Sequence, residues 1–248
     1  MFLIRGSLGG GTVKLSYDLH IHSALSPCAD NDMTPNNIVN MSIIKGLDVI
    51  AITDHNSCAN LEAVLKCASS QGLIVIPGME LETAEEIHVL CFFRDLESAL
   101  CMQKIVYENL PDLKNNESIF GEQLILDEND NIISKEERLL LTACKLSINE
   151  VFDIVENRLS GAVVPAHINR EANSLLSAFG TMPVDINIRA IEWYGVNDTS
   201  ESVDDIIEYT VMHSSDAHYL QDINESHYFM DIETCNANIN CIIDYLLL

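Results

Sequence analysis

Basic residues are scarce: 13 Lys and Arg stand against 38 Asp and Glu in 248 residues, a formal net charge of −25. A surface of that sign repels polyanions, so loose, phosphate-driven binding of duplex nucleic acid is not expected. The chain also lacks a basic stripe with interleaved aromatics of the kind that tracks a single strand. A small phosphorylated substrate remains compatible, because charge supplied locally by a metal can outweigh the global field. Paired cysteine motifs are absent too: the eight cysteines contain no CxxC, and several sit in apolar runs where a free thiol packs as a small hydrophobe. That usage fits a reducing compartment and not a disulfide framework. No run approaches the ~18–20 apolar residues of a membrane span. The start, MFLIRGSLGGG, has too short an apolar stretch and no basic n-region for a secretory leader. The expectation is a soluble cytoplasmic protein with no membrane partner and an oligomeric state left open. Internal repeats and low-complexity tracts are also missing.

A hydrophobic content of 48% is ample for a sizeable core, and both helix and strand patterns occur, so 1–248 reads as one α/β domain. In YDLHIHS (17–23), Leu15, Tyr17, Leu19 and Ile21 alternate with Ser16, Asp18, His20 and His22, the period of a strand. Residues two apart share a side, so His20 and His22 project together. Gly9, Gly10 and Gly11 form a flexible lead-in. Thr34-Pro35 is an N-cap with proline at the first helical position, predicting a helix to about 45. Short, nearly all-apolar strands follow at 49–53 and 74–77, separated by a helix at 60–70, and another strand at 87–93. Buried strands alternating with helices predict βα units and a parallel sheet. Residues 95–160 depart from that rhythm: a helix over 96–109, a polar irregular stretch with a turn near 128–131, and the capping-box spacing Ser147…Glu150 opening a helix to about 159. This segment reads as an excursion from the barrel. Strands resume at 162–166, 189–193 and 211–214, and a last helix covers 236–247.

The polar residues cluster at strand ends, where parallel α/β folds build their sites. His20, His22, Asp54, His55, Glu80, His88, His167, Asp216 and His218 would converge at one mouth. Imidazoles with carboxylates suit Zn, Mn or Fe, and so many donors exceed the needs of one ion. Glu80 and Asp216 can each use both oxygens, so a carboxylate bridge between cations ~3.5–4 Å apart, a clamp for displacement at phosphorus, is reasonable. Taken singly, His55 and His167 could be core histidines, Glu80 a helix N-terminal carboxylate and Asp216 a turn residue. His213, three before Asp216, should face away and is structural; His227 is unassigned.

The set DLHIHS, ITDHNS, GMELET followed by IHVL, PAHI and SSDAH, spanning residues 17–218 in order, resembles the polymerase-and-histidinol-phosphatase (PHP) family of metal-dependent phosphoesterases. The resemblance implies a distorted (β/α)7 TIM-like barrel. It implies two or three divalent transition metals (Zn, Mn or Fe): one held by His20, His22, Glu80 and Asp216, a second by Glu80, His88 and His167 with Glu80 bridging, and a third by His55 and His218. The family adds a further ligand to the third site from the loop after HxH; here that loop is longer and offers Cys28, Asp30 or Asp32. The reaction implied is hydrolysis of a phosphate ester by a metal-activated hydroxide. Asp54 would orient a ligand histidine or accept a proton, or be a plain loop carboxylate. Arg170 would hold the substrate phosphate, or be a surface arginine. Trp193 or Tyr194 could stack on a nucleobase or pack in the core. The leading expectation is a phosphoesterase acting on a small phosphate monoester or short nucleotide. The alternatives are an exonuclease trimming single-stranded ends, a histidinol-phosphatase-type enzyme, or a non-catalytic metal-binding regulatory module. An amidohydrolase with a carboxylated-lysine bridge is disfavoured, because no lysine falls at a strand end.

Overall fold

The computed structural model describes residues 11–195, 208–233 and 237–248; Gly9, Gly10 and the expected start of the last helix at Asn236 lie outside them. β1 (Thr12–Ile21), β2 (Val49–Ile52) and β3 (Ile74–Glu82) run parallel, linked by α1 (Pro35–Ile44) and α2 (Leu61–Ala68). α1 begins as its first residues dictate: the Thr34 side chain accepts from the Asn37 N–H, and Pro35 fills the position where a missing N–H costs nothing.

The parallel rhythm then breaks. β3 continues past the expected end at Pro77, and β4 (His88–Phe92) folds back antiparallel on it, with Glu80 opposite Leu90 and Glu82 opposite His88. Glu80 therefore sits inside a strand. Because β4 runs in reverse, its first residue, His88, lies at the same end as the last residues of its neighbours. The excursion supplies α3 (Leu96–Asn109), α4 (Glu117–Phe120), a hairpin of β5 (Leu124–Leu126) and β6 (Ile132–Lys135), and α5 (Ile148–Phe152), which opens on a complete Ser147–Glu150 capping box and continues as a π-helical turn over Asp153–Arg158. The hairpin strands were hidden in the sequence by the polar residues around them. Leu124 and Leu126 pack on Ala24, and the Leu124 N–H donates to the Ala24 carbonyl at 2.8 Å, so the excursion braces the loop after β1.

β7 (Ala162–Pro165) pairs antiparallel with β4 and so recovers the direction of β1–β3. After α6 (Leu175–Phe179) come β8 (Ala190–Glu192) and β9 (Thr210–Met212), parallel to each other. The Ile168 N–H donates to the Glu192 carbonyl at 3.0 Å on one side, and Ala217 bridges to Ile21 on the other. β1, β2, β3, β4, β7, β8 and β9 thereby ring the distorted TIM-like barrel. β10 (Phe229–Glu233) lies antiparallel on the first half of β1, and α7 (Ile239–Leu246) buries Ile242, Ile243 and Leu246 beside Val13 and Ile74, closing the end where the strands start. Among the described residues no helix is long and apolar enough to cross a membrane.

One irregularity in β1 positions everything above it. Leu15, Tyr17 and Leu19 belong to the inner apolar cluster with Ala51, Phe92, Val164 and Met212, whereas Ile21 packs in the outer cluster with Ile50 and Ile52. Strict alternation would keep all four on one face. The register of β1 against β2 shifts between Asp18 and Ile21, and the bulge hands the inner face to His20 and His22.

Candidate metal centre

Glu80 is the hub. Its carboxylate is 1% exposed, with Oε1 at 2.9 Å from His88 Nδ1, 3.2 Å from His167 Nε2 and 3.3 Å from His20 Nε2. Oε2 lies 3.0 Å from His55 Nδ1 and 3.4 Å from His22 Nε2. Burial would raise the Glu80 pKa, but His88, His20 and His55 around it hold the carboxyl well below the usual range. Asp216 closes the first group, with Oδ1 3.2 Å from His20 Nε2 and 3.1 Å from His22 Nε2. His167 and Asp216 have φ of 29° and 52°, a strained backbone for non-glycine residues that recurs at functional sites.

The histidine protons are assigned by what stands behind each ring. Ser26 has one proton, donated to Asp54 Oδ1 at 2.7 Å, and its oxygen accepts the His55 N–H at 3.1 Å. The remaining contact, 2.9 Å to His22 Nδ1, therefore has His22 as donor, which leaves Nε2 with a lone pair facing the cluster. His20 Nδ1 donates to the Glu192 carboxylate at 3.0 Å and His218 Nδ1 to the Asp216 carbonyl at 2.8 Å, with the same consequence. Burial, reinforced by His55 and His218, pushes His22 down to about 3, so it is a neutral donor.

Ligand-type atoms converge in three groups: His20, His22, Glu80 and Asp216; His55, Glu80 and His88; and His22, His55 and His218. His167 reaches the second group through Glu80. Asp54 does not face the cavity. Its oxygens accept from the Ser23 N–H (2.7 Å), the Ser23 hydroxyl (2.6 Å) and Ser26, which sets it one hydroxyl behind His22. Arg170 stands at the mouth, with NH1 2.6 Å from Asp216 Oδ2 and its guanidinium 3.8 Å from the centre of the Tyr194 ring. Trp193 is buried in the core while Tyr194 is exposed. His213 stacks on Tyr228 at 5.0 Å, outside these groups.

Of the three loop donors, Cys28 is the one at the cluster. Exposed at the rim, it lines the central cavity with His55 and His218; partial enclosure of the thiol raises its pKa, but the two imidazoles beside it bring it down to about 7. Asp30 Oδ1 instead accepts the Asp32 N–H at 2.8 Å, and neither aspartate lines the central cavity. Glu192, Ser26 and Tyr219 carry weight that the sequence reading did not assign. Glu192 was legible as a strand-end carboxylate; Ser26 and Tyr219 had no signal beyond their neighbours.

The donor set fits divalent cations on its own chemistry. Glu80 Oε2 is buried and accepts no well-aligned hydrogen bond, although His55 Nδ1 lies 3.0 Å and His22 Nε2 3.4 Å away, the contact a shared cation would mediate. A cavity of about 540 Å³ opens over the group and is lined by Cys28, His55, Glu80, His88, His167, Arg170, Asp216 and His218 among others. A second, of about 590 Å³, shares Cys28, Arg170, Asp216 and His218 with it and is bordered by Tyr194 and Tyr219.

Comparison with known proteins follows the same lines. The model of the PHP domain matches residues 18–180. The chain is 32% identical over 77 residues to a 5′-3′ exoribonuclease of Haemophilus influenzae and 36% identical over 74 residues to one of Salmonella typhimurium, covering 30% and 29% of this chain. It spans about a quarter of the length of those relatives, 27% and 24%. Among solved structures, the lesion-specific endonuclease Q of Pyrococcus furiosus superposes with a TM-score of 0.66 at 21% identity, over 94% of this chain and 56% of that one. Endonuclease Q in complex with a 27-mer duplex carrying an abasic lesion at its active site gives the same TM-score, 0.66, at 18% identity, over 95% of this chain and 57% of the other.

These findings correct the expectation of a small phosphorylated substrate with duplex nucleic acid excluded. Net charge sums the whole surface, whereas a phosphate meets only the mouth. There Arg170 is already present, and cations between Glu80 and Asp216 would reverse the local sign.

Proposed function

The chain belongs to the PHP domain family of metal-dependent hydrolases, and from that premise we propose that it hydrolyses phosphodiester bonds in nucleic acid, removing nucleotides from a single-stranded end. One observation supports this reading over a small-ester enzyme: a second cavity adjoins the central one, sharing Cys28, Arg170, Asp216 and His218 in its lining and adding Tyr194 and Tyr219, so the surface beside the donor cluster extends beyond a single phosphate. The matches to 5′-3′ exoribonucleases support it. We take 1–248 as one barrel domain with 95–160 as its excursion.

His20, His22, Glu80 and Asp216 would hold one cation, Glu80, His88 and His167 a second, and His55 and His218 part of a third, with Zn, Mn or Fe the candidates. When bound, such cations polarise phosphoryl oxygens and lower the pKa of water for attack at phosphorus. The protein's own groups do the rest. Glu192 and the Asp54–Ser26 pair keep the His20 and His22 protons on Nδ1 and their Nε2 lone pairs inward. Arg170, which lines both cavities, presents a planar donor fork to a phosphodiester oxygen. Tyr194 and Tyr219, about half exposed, offer ring faces to the adjoining bases.

The test is incubation of 5′- and 3′-labelled single-stranded RNA and DNA with the protein and Mn or Zn, in parallel with nucleoside monophosphates. Stepwise mononucleotide release from one end is expected. Phosphate release from the monoesters with every oligonucleotide left intact would overturn the nuclease reading and return the small-ester one.

A further inference from the structure

The loop after β1 delivers a sulfur where the resemblance leads one to expect an oxygen or a nitrogen. Cys28 lines the central cavity together with His55 and His218. Independently of the cysteine, His22, His55 and His218 bring ring nitrogens within 4.8 Å of one another. Their rings lie close, with His22 tilted 35° against His55 at 4.5 Å and stacked on His218 at 4.4 Å between centroids. Like groups that would repel if protonated are gathered this way where a cation is to be shared. The His218 proton is held on Nδ1 by the Asp216 carbonyl, which leaves Nε2 free.

The two loop aspartates do not line the central cavity. Asp30 Oδ1 accepts from Asp32 N–H, the Asp30 N–H donates to the His218 carbonyl at 2.9 Å, and the cavity Asp30 does line lies beside Asn31 and Glu122. The position of Cys28 is built into the fold. Gly121 packs against Pro27 so closely that a Cβ there would lie 2.0 Å from the Pro27 carbonyl oxygen, and the Asn31 amide donates to Glu122 at 2.7 Å. The excursion thus clamps the loop on both sides of the cysteine.

We propose that Cys28 supplies a thiolate ligand which, with His55 and His218, makes the third cation position a sulfur–nitrogen site, selective for Zn, Fe(II) or Co over Mn and Mg. This rests on the reading of the site as that of a metal-dependent hydrolase. Thiolate is a soft ligand and favours Zn and Fe over the oxygen-seeking cations. Binding displaces the thiol proton to solvent, so the site also depends on a reduced cysteine.

The probe is cobalt. Metal-free protein is titrated anaerobically with Co(II), followed by absorbance and by metal analysis after desalting, for the wild type, Cys28→Ser and Cys28→Asp. The wild type is expected to develop a near-ultraviolet thiolate-to-cobalt charge-transfer band. Cys28→Ser should lose that band and retain one equivalent fewer than the wild type. Cys28→Asp should restore the equivalent without the band and shift its preference toward Mn. Since Cys28 is exposed at the rim, melting of the metal-free variants should match the wild type and exclude a folding defect. Cobalt bound by the wild type with no thiolate band, or a Cys28→Ser protein with unchanged stoichiometry and spectrum, would overturn the thiolate ligand and leave the hydrolase reading standing. No cobalt retained by any of the proteins would overturn both.

Discussion

Glu192→Gln is an isosteric change that deletes one charge behind His20. Glu192 is 2% exposed; its two oxygens lie 3.1 and 3.0 Å from His20 Nδ1, and Oε2 also accepts the His167 N–H at 2.9 Å. Both partners are donors; Oε2, with two lone pairs, serves both, and Oε1 adds a second contact to His20. Glutamine has one acceptor and one NH₂. If its oxygen takes the Oε2 place it keeps both bonds, but the NH₂ then stands in the Oε1 place, 3.1 Å from His20 Nδ1. This donor–donor contact disfavours the Nδ1 tautomer that leaves Nε2 free toward Asp216 and Glu80. If the oxygen takes the Oε1 place instead, the buried His167 N–H is orphaned at about 1–3 kcal/mol. Either way, cation affinity at the His20 position should fall about 10- to 100-fold, the usual cost of losing a carboxylate behind a ligand histidine. That range corresponds to about 1.4–2.8 kcal/mol. Competition for Zn against a chromophoric chelator reads the affinity directly, and turnover at limiting metal should drop in step and recover with excess metal. An unchanged affinity in a Glu192→Gln protein that folds normally would refute the tautomer assignment.

Three further outcomes follow from the same geometry. Ser26→Ala removes the hydroxyl shared by Asp54, His22 Nδ1 and the His55 N–H, and should cost about 1–3 kcal/mol in denaturant unfolding of the metal-free protein because buried polar groups lose their partner. Gly121→Ala, at φ 101° against the Pro27 carbonyl, should displace the Cys28 loop and lower the thermal midpoint, whereas Gly180→Ala, with open space around it, should be far milder. Arg170→Ala loses the 2.6 Å pair with Asp216 and the stack on Tyr194, and should raise KM for oligonucleotides about tenfold, the effect of 1.4 kcal/mol, with Arg170→Lys only partly restoring it.

The barrel strands and the principal donors were readable from the chain because each is a local pattern, whereas β10 was not expected. HxH on an alternating strand, all-apolar runs ended by Asp54, Glu80 and His167, and Thr34-Pro35 before a helix are signals carried within a few residues. Helix α3 matched its expected limits, Leu96–Asn109, for the same reason. The β5–β6 hairpin was not legible: β6 is exposed throughout, so burial never imposed a pattern on it. Nor was the reversal of β4, since an apolar run has no direction until its partner is known. The choice among Cys28, Asp30 and Asp32 failed on counting, as the loop is braced by residues about 90 positions away, such as Glu122 against Asn31.

Residue chemistry and period, written along the chain, were enough to establish a barrel with histidines and carboxylates gathered at one mouth. Which oxygen faces which nitrogen was a matter for the folded molecule. The bulge between Asp18 and Ile21 turns His20 and His22 inward, the antiparallel β4 brings His88 to the common end, and Glu192 arrives from 172 residues away to hold the His20 proton. The pair of adjoining cavities also exists only there. Both linings draw side chains from separate loops, and the net charge of −25, a sum that ignores position, says nothing of the sign at that mouth.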